Sequence, residues 1–268
     1  MKQQNWLDTD SLRGSDFSMS SAFPALMRKV FVWMTLALAI TGITAYGVAS
    51  TPSLIMAILG NKALFWGLII AELVLVFSVS GAINRLSLST ATLLFVLYSV
   101  VNGATLSVIF LAFSMTAIVK TFLITAGTFG VMALVGYTTK TDLTSMGKLL
   151  FMALLGLIIA TVVNMFVRSS GFDLILSYVG VLIFVGLTAY DTQKIKQMCQ
   201  LAPDAGEHMQ KLALLGALSL YLDFINLFLY LLRIFGSNKE YTDRLRPIDD
   251  DSGSRLIERK LKTYIAFS

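Results

Sequence analysis

Long apolar runs alternate with short polar stretches along most of this 268-residue chain. Each run approaches the roughly 20 residues that an α-helix needs to cross the hydrocarbon of a bilayer. We place the runs at about residues 30–50, 64–83, 90–113, 118–137, 149–167, 173–191 and 212–235. The pattern therefore predicts an all-α integral membrane protein built as a bundle of seven transmembrane helices.

The polar stretches divide the chain into three parts. Residues 1–27 are polar and serine-rich, and we predict an N-terminal arm without regular structure. The transmembrane domain is expected to cover residues 28–237. Residues 238–268 change abruptly to a charged composition, and we interpret them as a polar tail, either solvated or artificially added.

Composition supports a membrane protein and excludes several other classes. The chain is 56% hydrophobic and 14% charged, which leaves too little polar surface to cover a soluble globule. A single cysteine, Cys199, excludes an intrachain disulfide, and a single histidine, His208, leaves no His/Cys cluster for zinc. We therefore expect no cofactor.

The basic residues indicate orientation instead of nucleic-acid binding. They lie between apolar runs and form no stripe interleaved with aromatic residues. A cytoplasmic N-terminus places most of them inside, including Arg28, Lys29, Lys140 and Lys196, and fewer outside, such as Lys62 and Lys120. With a cytoplasmic N-terminus, seven spans place the C-terminus outside the cytoplasm. The tail after residue 233 is nevertheless basic, so it does not follow the positive-inside rule.

Three acidic residues lie within or at the end of apolar runs. Glu72 is in the second run, Asp191 ends the sixth, and Asp223 is near the middle of the seventh. An aspartate at the centre of a membrane helix costs roughly 2.5 to 3.5 kcal/mol. We therefore expect these acids to be paired or to serve a function.

Asp223 lies on a polar stripe along an otherwise apolar helix. Ser219, Asn226 and Tyr230 stand four residues before it and three and seven after it, which places all four on one helical face. Lipid cannot satisfy the hydrogen bonds of these side chains. The stripe is therefore predicted to face the bundle interior or a water-filled path.

The spacing of the last two runs also predicts that Asp191 and Asp223 are neighbours. A link of about 20 residues joins the runs, and helices joined by a short link usually pack side by side. Two close carboxyl groups cannot both ionise easily, so they share a proton and can act as a proton sensor. When deprotonated, they offer oxygen ligands to Ca²⁺, but too few for tight binding. We therefore predict a transient calcium site.

Glu72 and Arg85 are further candidates for the ion path. Glu72 has no polar stripe on its own helix, so it needs a partner from another helix or a bound proton. Arg85 follows the same run and could reach back towards the carboxylates as a gate or lock. It could equally anchor that end of the helix at the cytoplasmic surface.

Two segments, GLTAYDTQKIK (186–196) and ALSLYLDFINLFLYLLRIFG (217–236), resemble bacterial members of the transmembrane Bax-inhibitor-motif family. The resemblance covers about residues 25–237. It implies a seven-helix bundle with the last helix, 212–235, at its centre, in the bacterial inner membrane. It also implies a pH-dependent calcium leak in which Asp191 and Asp223 match the paired aspartates of the family's sensor. Arg85 is the nearest match to the family's lock arginine, although it lies further from Glu72 than the family pattern has it.

Other functions stay open at this stage. The chain could regulate a membrane protease or a death effector through its N-terminal arm, or act as a proton-coupled cation carrier. An intramembrane aspartyl protease is disfavoured, because Leu220-Tyr221-Leu222-Asp223 replaces the expected Gly-x-Gly-Asp and no Pro-Ala-Leu follows. The expected partners are therefore the bilayer, calcium ions, protons and a membrane protein, and we predict neither an enzyme nor a nucleic-acid-binding protein.

Overall fold

The computed structural model describes residues 7–167, 169–202 and 204–236, with side chains from Ala22 onward except at positions 168, 170 and 203. The predicted tail, 238–268, lies outside the described residues. The described helices are α1 (Leu7–Ala49), α2 (Pro52–Gly60), α3 (Lys62–Ala82), α4 (Leu88–Leu106), α5 (Ile109–Ala112), α6 (Met115–Thr138), α7 (Thr144–Val167), α8 (Ser170–Gln200) and α9 (Glu207–Phe235).

The prediction of seven transmembrane helices is confirmed. Seven segments of the described chain are long and apolar enough to cross a membrane: Ala22–Ala49, Lys62–Ala82, Leu88–Ala112, Met115–Thr138, Thr144–Val167, Gly171–Gln200 and Glu207–Phe235. The third span combines α4 and α5, which a short turn separates. The described residues contain no strand.

The last helix lies at the centre of the bundle, as expected. In the most apolar part of α9, 78% of the residues are buried, compared with 17% in α7. α9 packs on α1, α4, α6 and α8. The outer helices turn large apolar side chains such as Ile43 and Phe166 outward, where lipid can cover them.

Polar residues in the links set where several helices begin. The Asn61 side chain accepts hydrogen bonds from the backbone N–H groups of Ala63 and Leu64. Ser87, Ser114 and Ser169 cap α4, α6 and α8 in the same way. Each cap satisfies backbone donors that the first turn of a helix leaves unpaired.

The structure differs from the sequence prediction at two helix ends. α1 begins at Leu7, inside the predicted N-terminal arm, and it continues through Pro24 because Leu26 and Met27 are buried against the core. α8 continues to Gln200, so the link to α9 is only residues 201–206, not about 20 residues.

The extension of α8 is stabilised by contacts of its own. Gln193 bonds to the link before α7: its Nε2 donates to the Thr141 carbonyl at 2.8 Å, and its Oε1 accepts from the Leu143 N–H at 2.8 Å. Ile195 and Cys199 are buried. The polar residues after Asp191 therefore continue the helix instead of ending it.

Some glycines allow close helix packing, and others do not. A Cβ atom at Gly180 would lie 2.7 Å from the Tyr230 ring, and one at Gly186 would lie 2.9 Å from Leu150. Gly130 differs from these two glycines, because a Cβ atom there would meet nothing within 4 Å. Gly130 therefore lines an open groove and not a helix contact.

Candidate functional site

A cavity of about 680 Å³ lies between α7, α8 and α9, with Leu73 of α3 at its wall. Asp191 of α8 and Asp223 of α9 both line this cavity. The structure thus brings together the two aspartates that the sequence predicted to be neighbours.

The α9 wall of the cavity is the predicted polar stripe. Ser219, Asp223, Asn226 and Tyr230 all line the cavity. Asp223 is only 5% exposed, and its Oδ2 atom has no hydrogen-bond partner in the described part of the chain. The Asn226 amide donates to the Leu222 carbonyl at 2.9 Å. An acceptor that lacks a protein donor is available to water, a proton or a cation.

The α8 wall adds a positive charge beside Asp191. Lys194 lines the cavity, interacts electrostatically with Asp191, and places its Nζ atom 5.9 Å from the centre of the Tyr190 ring. Lys148 at the start of α7 lines the same cavity. Two lysines therefore line the same cavity as the aspartates, and the one from α7 has no counterpart in the sequence prediction.

An ion pair lies beyond Tyr230, towards the other end of the bundle. Arg233 Nη1 is 4.0 Å from Asp173 Oδ1, and both side chains are about 15% exposed. Asp173 also accepts a hydrogen bond from the Asn164 amide, which joins α7 to α8. Asp173 and Asp191 are about 27 Å apart along α8 at 1.5 Å per residue. Polar side chains therefore extend across most of a membrane thickness.

Glu72 does not line this cavity. It is buried on α3, within hydrogen-bonding reach of the Thr105 side chain and close to Tyr98 and Tyr221. Its Oε1 atom has no partner in the described part of the chain. Tyr221 and Asp223 are about 200° apart around α9, so Glu72 and the aspartates lie on different sides of that helix.

The Tyr221 side of α9 holds a compact hydrogen-bond network. The Tyr221 hydroxyl donates to Asn102 Oδ1 at 3.0 Å and lies 2.7 Å from Thr41 Oγ1. Thr41 Oγ1 in turn donates to the Ser99 carbonyl at 3.0 Å. The network joins α1, α4 and α9.

Arg85 does not line the cavity of the aspartates. It occupies the link after α3, its side chain is exposed, and its backbone N–H donates to the Ala82 carbonyl at 2.8 Å. The cavity wall does not include it. In this arrangement Lys148 and Lys194 are the Lys and Arg residues that line the cavity of the aspartates.

The oxygen atoms of the cavity suit a weakly held cation. No group of three or more His, Cys, Asp or Glu residues that could hold a metal ion occurs among the described residues. Besides the two carboxylates, the hydroxyls of Ser219, Thr161 and Tyr230 line the cavity. Calcium prefers six to eight oxygen ligands, so much of its shell here would be water.

Sequence reasoning missed several residues near the site for identifiable reasons. Asp173 is an acid in the first turn of α8, and Lys194 stands three residues after Asp191, so both had a local signal. Lys148 and Thr161 reach the cavity from α7. Only the packing of that helix on α8 identifies them.

Comparison with known proteins identifies similar chains over most of the sequence. The family model described as "Inhibitor of apoptosis-promoting Bax1" matches residues 24–240. The inner membrane protein YbhL of Escherichia coli K12 is 47% identical over 214 residues, which are 80% of this chain and 92% of YbhL. An uncharacterized protein of Borreliella burgdorferi is 48% identical over 213 residues, 80% of this chain and 92% of that protein. An uncharacterized membrane protein of Streptococcus pyogenes serotype M6 is 41% identical over 186 residues, 69% of this chain and 80% of that protein.

Proposed function

The chain belongs to the Bax inhibitor family of membrane proteins, and we propose that it is a pH-sensitive calcium-permeable leak channel. The observation that carries the proposal is the shared cavity of Asp191 and Asp223. The two carboxyl groups belong to adjacent helices and line one cavity, so the charge of one disfavours the charge of the other.

Protonation of this pair is the proposed gate. When one proton is shared, α8 and α9 pack closely around the pair. When both carboxyl groups ionise, their repulsion and their need for water favour a wider, hydrated cavity. The deprotonated pair then binds a divalent cation transiently. Flux is therefore expected to increase as the pH rises.

The ion pair of Arg233 and Asp173 marks the expected barrier at the other end of the path. Arg233 lies 5.7 Å from the centre of the Tyr230 ring, and Tyr230 is on the cavity wall. A buried guanidinium in this position repels a cation that leaves the cavity. In the conducting state, Arg233 must move or be screened by water.

We assign Glu72 and Arg85 roles outside the cavity. Glu72 contacts the opposite side of α9, so we propose that it affects conduction through the packing of that helix. Arg85 serves as a basic anchor at the membrane surface. The end of the bundle that carries Arg28, Lys29 and Arg85 is assigned to the cytoplasm by the positive-inside rule, and the bacterial inner membrane is the proposed location.

Calcium flux into dye-loaded proteoliposomes between pH 5 and 8 tests this function. Asp191→Asn and Asp223→Asn remove a carboxylate and keep its shape, and each is expected to move or abolish the pH dependence of flux. Asp142→Asn is the matched control, because Asp142 is exposed in the link before α7. Hydrogen bonds from Thr144 hold the pKa of Asp142 below its usual range, so its charge is constant in this experiment.

Two results would contradict the proposal. Folded protein that carries no calcium at any pH would favour the regulatory alternative, in which the chain binds a membrane protease or another membrane protein. Saturable flux with counterflow would favour a proton-coupled carrier. The same proteoliposomes distinguish these cases, since a leak shows neither saturation nor counterflow.

A further inference from the structure

A second depression, a groove of about 560 Å³, lies between α1 and α6 on the outer surface of the bundle. Phe31 and Leu38 of α1 form one side, Phe122 and Tyr137 of α6 form the other, and Phe224 of α9 forms part of the floor. α1 packs on α4, α8 and α9, whereas α6 packs on α8 and α9. The groove is therefore a gap between two helices that share the same central helix.

Small residues keep this groove open. Ala126 and Gly130 are one turn apart on α6, and both line the groove. A Cβ atom at Gly130 would meet nothing within 4 Å. Because both flanking helices span the membrane, the groove opens to lipid hydrocarbon over most of its length.

Basic residues surround one end of the groove. At that end, Lys196 Nζ donates to the Tyr137 carbonyl at 2.7 Å and lies 5.1 Å from the centre of the Tyr137 ring. Phe23 stacks on the same ring at 6.4 Å, which places the start of the first span at this end. Arg28 is exposed one turn before Phe31, and Lys140 is exposed two residues after the end of α6.

We propose that this groove binds an anionic phospholipid, with one acyl chain in the groove and the headgroup phosphate next to Arg28, Lys140 and Lys196. The apolar walls suit the acyl chain of such a lipid, and the basic end suits its anionic headgroup. A basic cluster at a membrane surface attracts anionic headgroups by about 1 kcal/mol, or about fivefold in affinity, for each Lys or Arg. The proposal does not depend on calcium conduction.

A second copy of the chain fits the groove less well. Apolar helices gain no hydrophobic free energy by associating in lipid, so a helix in this groove would need close backbone packing along its length. The small side chains here are those of Thr35, Ala126, Gly130 and Ala133, and the α6 members lie between the large rings of Phe122, Phe129 and Tyr137. The charge at one end also has no role in such a contact.

Native mass spectrometry of the full chain in detergent tests the proposal. The protein is mixed with equal amounts of dioleoyl phosphatidylglycerol and dioleoyl phosphatidylcholine, and the mass of each bound lipid is counted. The unaltered protein is expected to retain phosphatidylglycerol preferentially. Lys196→Gln should lower the ratio of bound phosphatidylglycerol to phosphatidylcholine by about fivefold.

Gly130→Leu tests the acyl-chain part of the site. The new side chain fills the groove and should reduce binding of both lipids. Gly127→Leu is the matched control, because a Cβ atom at Gly127 also meets nothing within 4 Å but Gly127 does not line the groove. If Gly130→Leu does not fold, Ala126→Leu replaces it, since Ala126 is exposed on the groove wall.

Three outcomes would overturn the proposal. The first is equal binding of both lipids by the unaltered protein, with no difference between Gly130→Leu and Gly127→Leu. The second is a dimer that Gly130→Leu abolishes while lipid binding is unchanged. The third is displacement of phosphatidylglycerol by glycerol phosphate at similar concentration, which would show recognition of the phosphate without the acyl chain.

Discussion

The two sides of α9 carry similar polar residues and use them differently. On one side, Tyr221, Asn102 and Thr41 are joined by short hydrogen bonds and packed among aromatic rings. On the other side, Asp223 lines a cavity and has an oxygen atom without a hydrogen-bond partner in the described part of the chain. We infer that the first side holds the bundle together and that the second side is kept responsive to protons and ions.

Glu72 combines features of the two sides. It belongs to the packed side, where it is close to Tyr98 and Tyr221, yet its Oε1 atom has no partner in the described part of the chain. An acid in a packed environment is held neutral more easily than one beside a hydrated cavity. A polar residue in a membrane helix therefore needs to be interpreted from the space around it as well as from its type.

The largest expected effect on stability is that of removing the Tyr221 side chain from the packed side. Its side chain is fully buried, so Tyr221→Ala should lower the free energy of unfolding by about 3–5 kcal/mol through the cavity it leaves. Thermal or denaturant unfolding of the purified protein in detergent measures this loss. The control is Tyr178→Ala, because Tyr178 is 54% exposed. A similar loss of unfolding free energy in both variants would contradict the claim that the packed side holds the bundle together.

Two asparagine variants, one on each side of α9, compare the stabilising effect of the hydrogen bonds on the two sides. Asn102→Ala removes the acceptor of the Tyr221 hydroxyl and should lower the free energy of unfolding by about 1–3 kcal/mol. Asn226→Ala on the cavity side should lower it by about 1 kcal/mol or less, since the amide bonds to a carbonyl on its own helix. The same unfolding assay measures the loss of unfolding free energy in both variants. Equal losses would show that the hydrogen bonds on the two sides of α9 contribute equally to stability.

The smallest expected effect concerns Lys194. Its positive charge beside Asp191 favours the ionised pair, so Lys194→Gln should move the flux–pH curve to higher pH by about 0.2–0.7 unit. The proteoliposome assay measures the midpoint of the curve. Lys211→Gln is the control, because Lys211 pairs with Glu207 and does not line the cavity. An equal shift of the midpoint in that variant would show that the effect does not come from the position of Lys194 beside Asp191.

Much of the fold and one wall of the site were predictable from the sequence. The apolar runs identified all seven spans because lipid-facing helices must be apolar over about 20 residues. Ser219, Asp223, Asn226 and Tyr230 were placed on one face because helical spacing alone determines it. Both predictions depend only on local periodicity.

The remaining features depend on which helices meet in space. Polar residues after Asp191 resembled a helix end, but Gln193 finds partners in the link before α7 and the helix continues. Glu72 was expected in the ion path, yet the packing of α3 places it on the other side of α9, close to Tyr221. Lys148 comes from another helix and has no sequence signal that points to the site.

A double-variant comparison of calcium flux tests the central claim most directly. If Asp191 and Asp223 share a proton, either single variant should move the flux–pH curve, because the remaining carboxyl group loses its neighbour's charge, and the double variant Asp191→Asn/Asp223→Asn should give a flat curve. The measurement is the flux into dye-loaded proteoliposomes at equal amounts of folded protein. If the single variants instead titrate with the midpoint of the unaltered protein, the two carboxyl groups do not share a proton and the proposed gate is wrong.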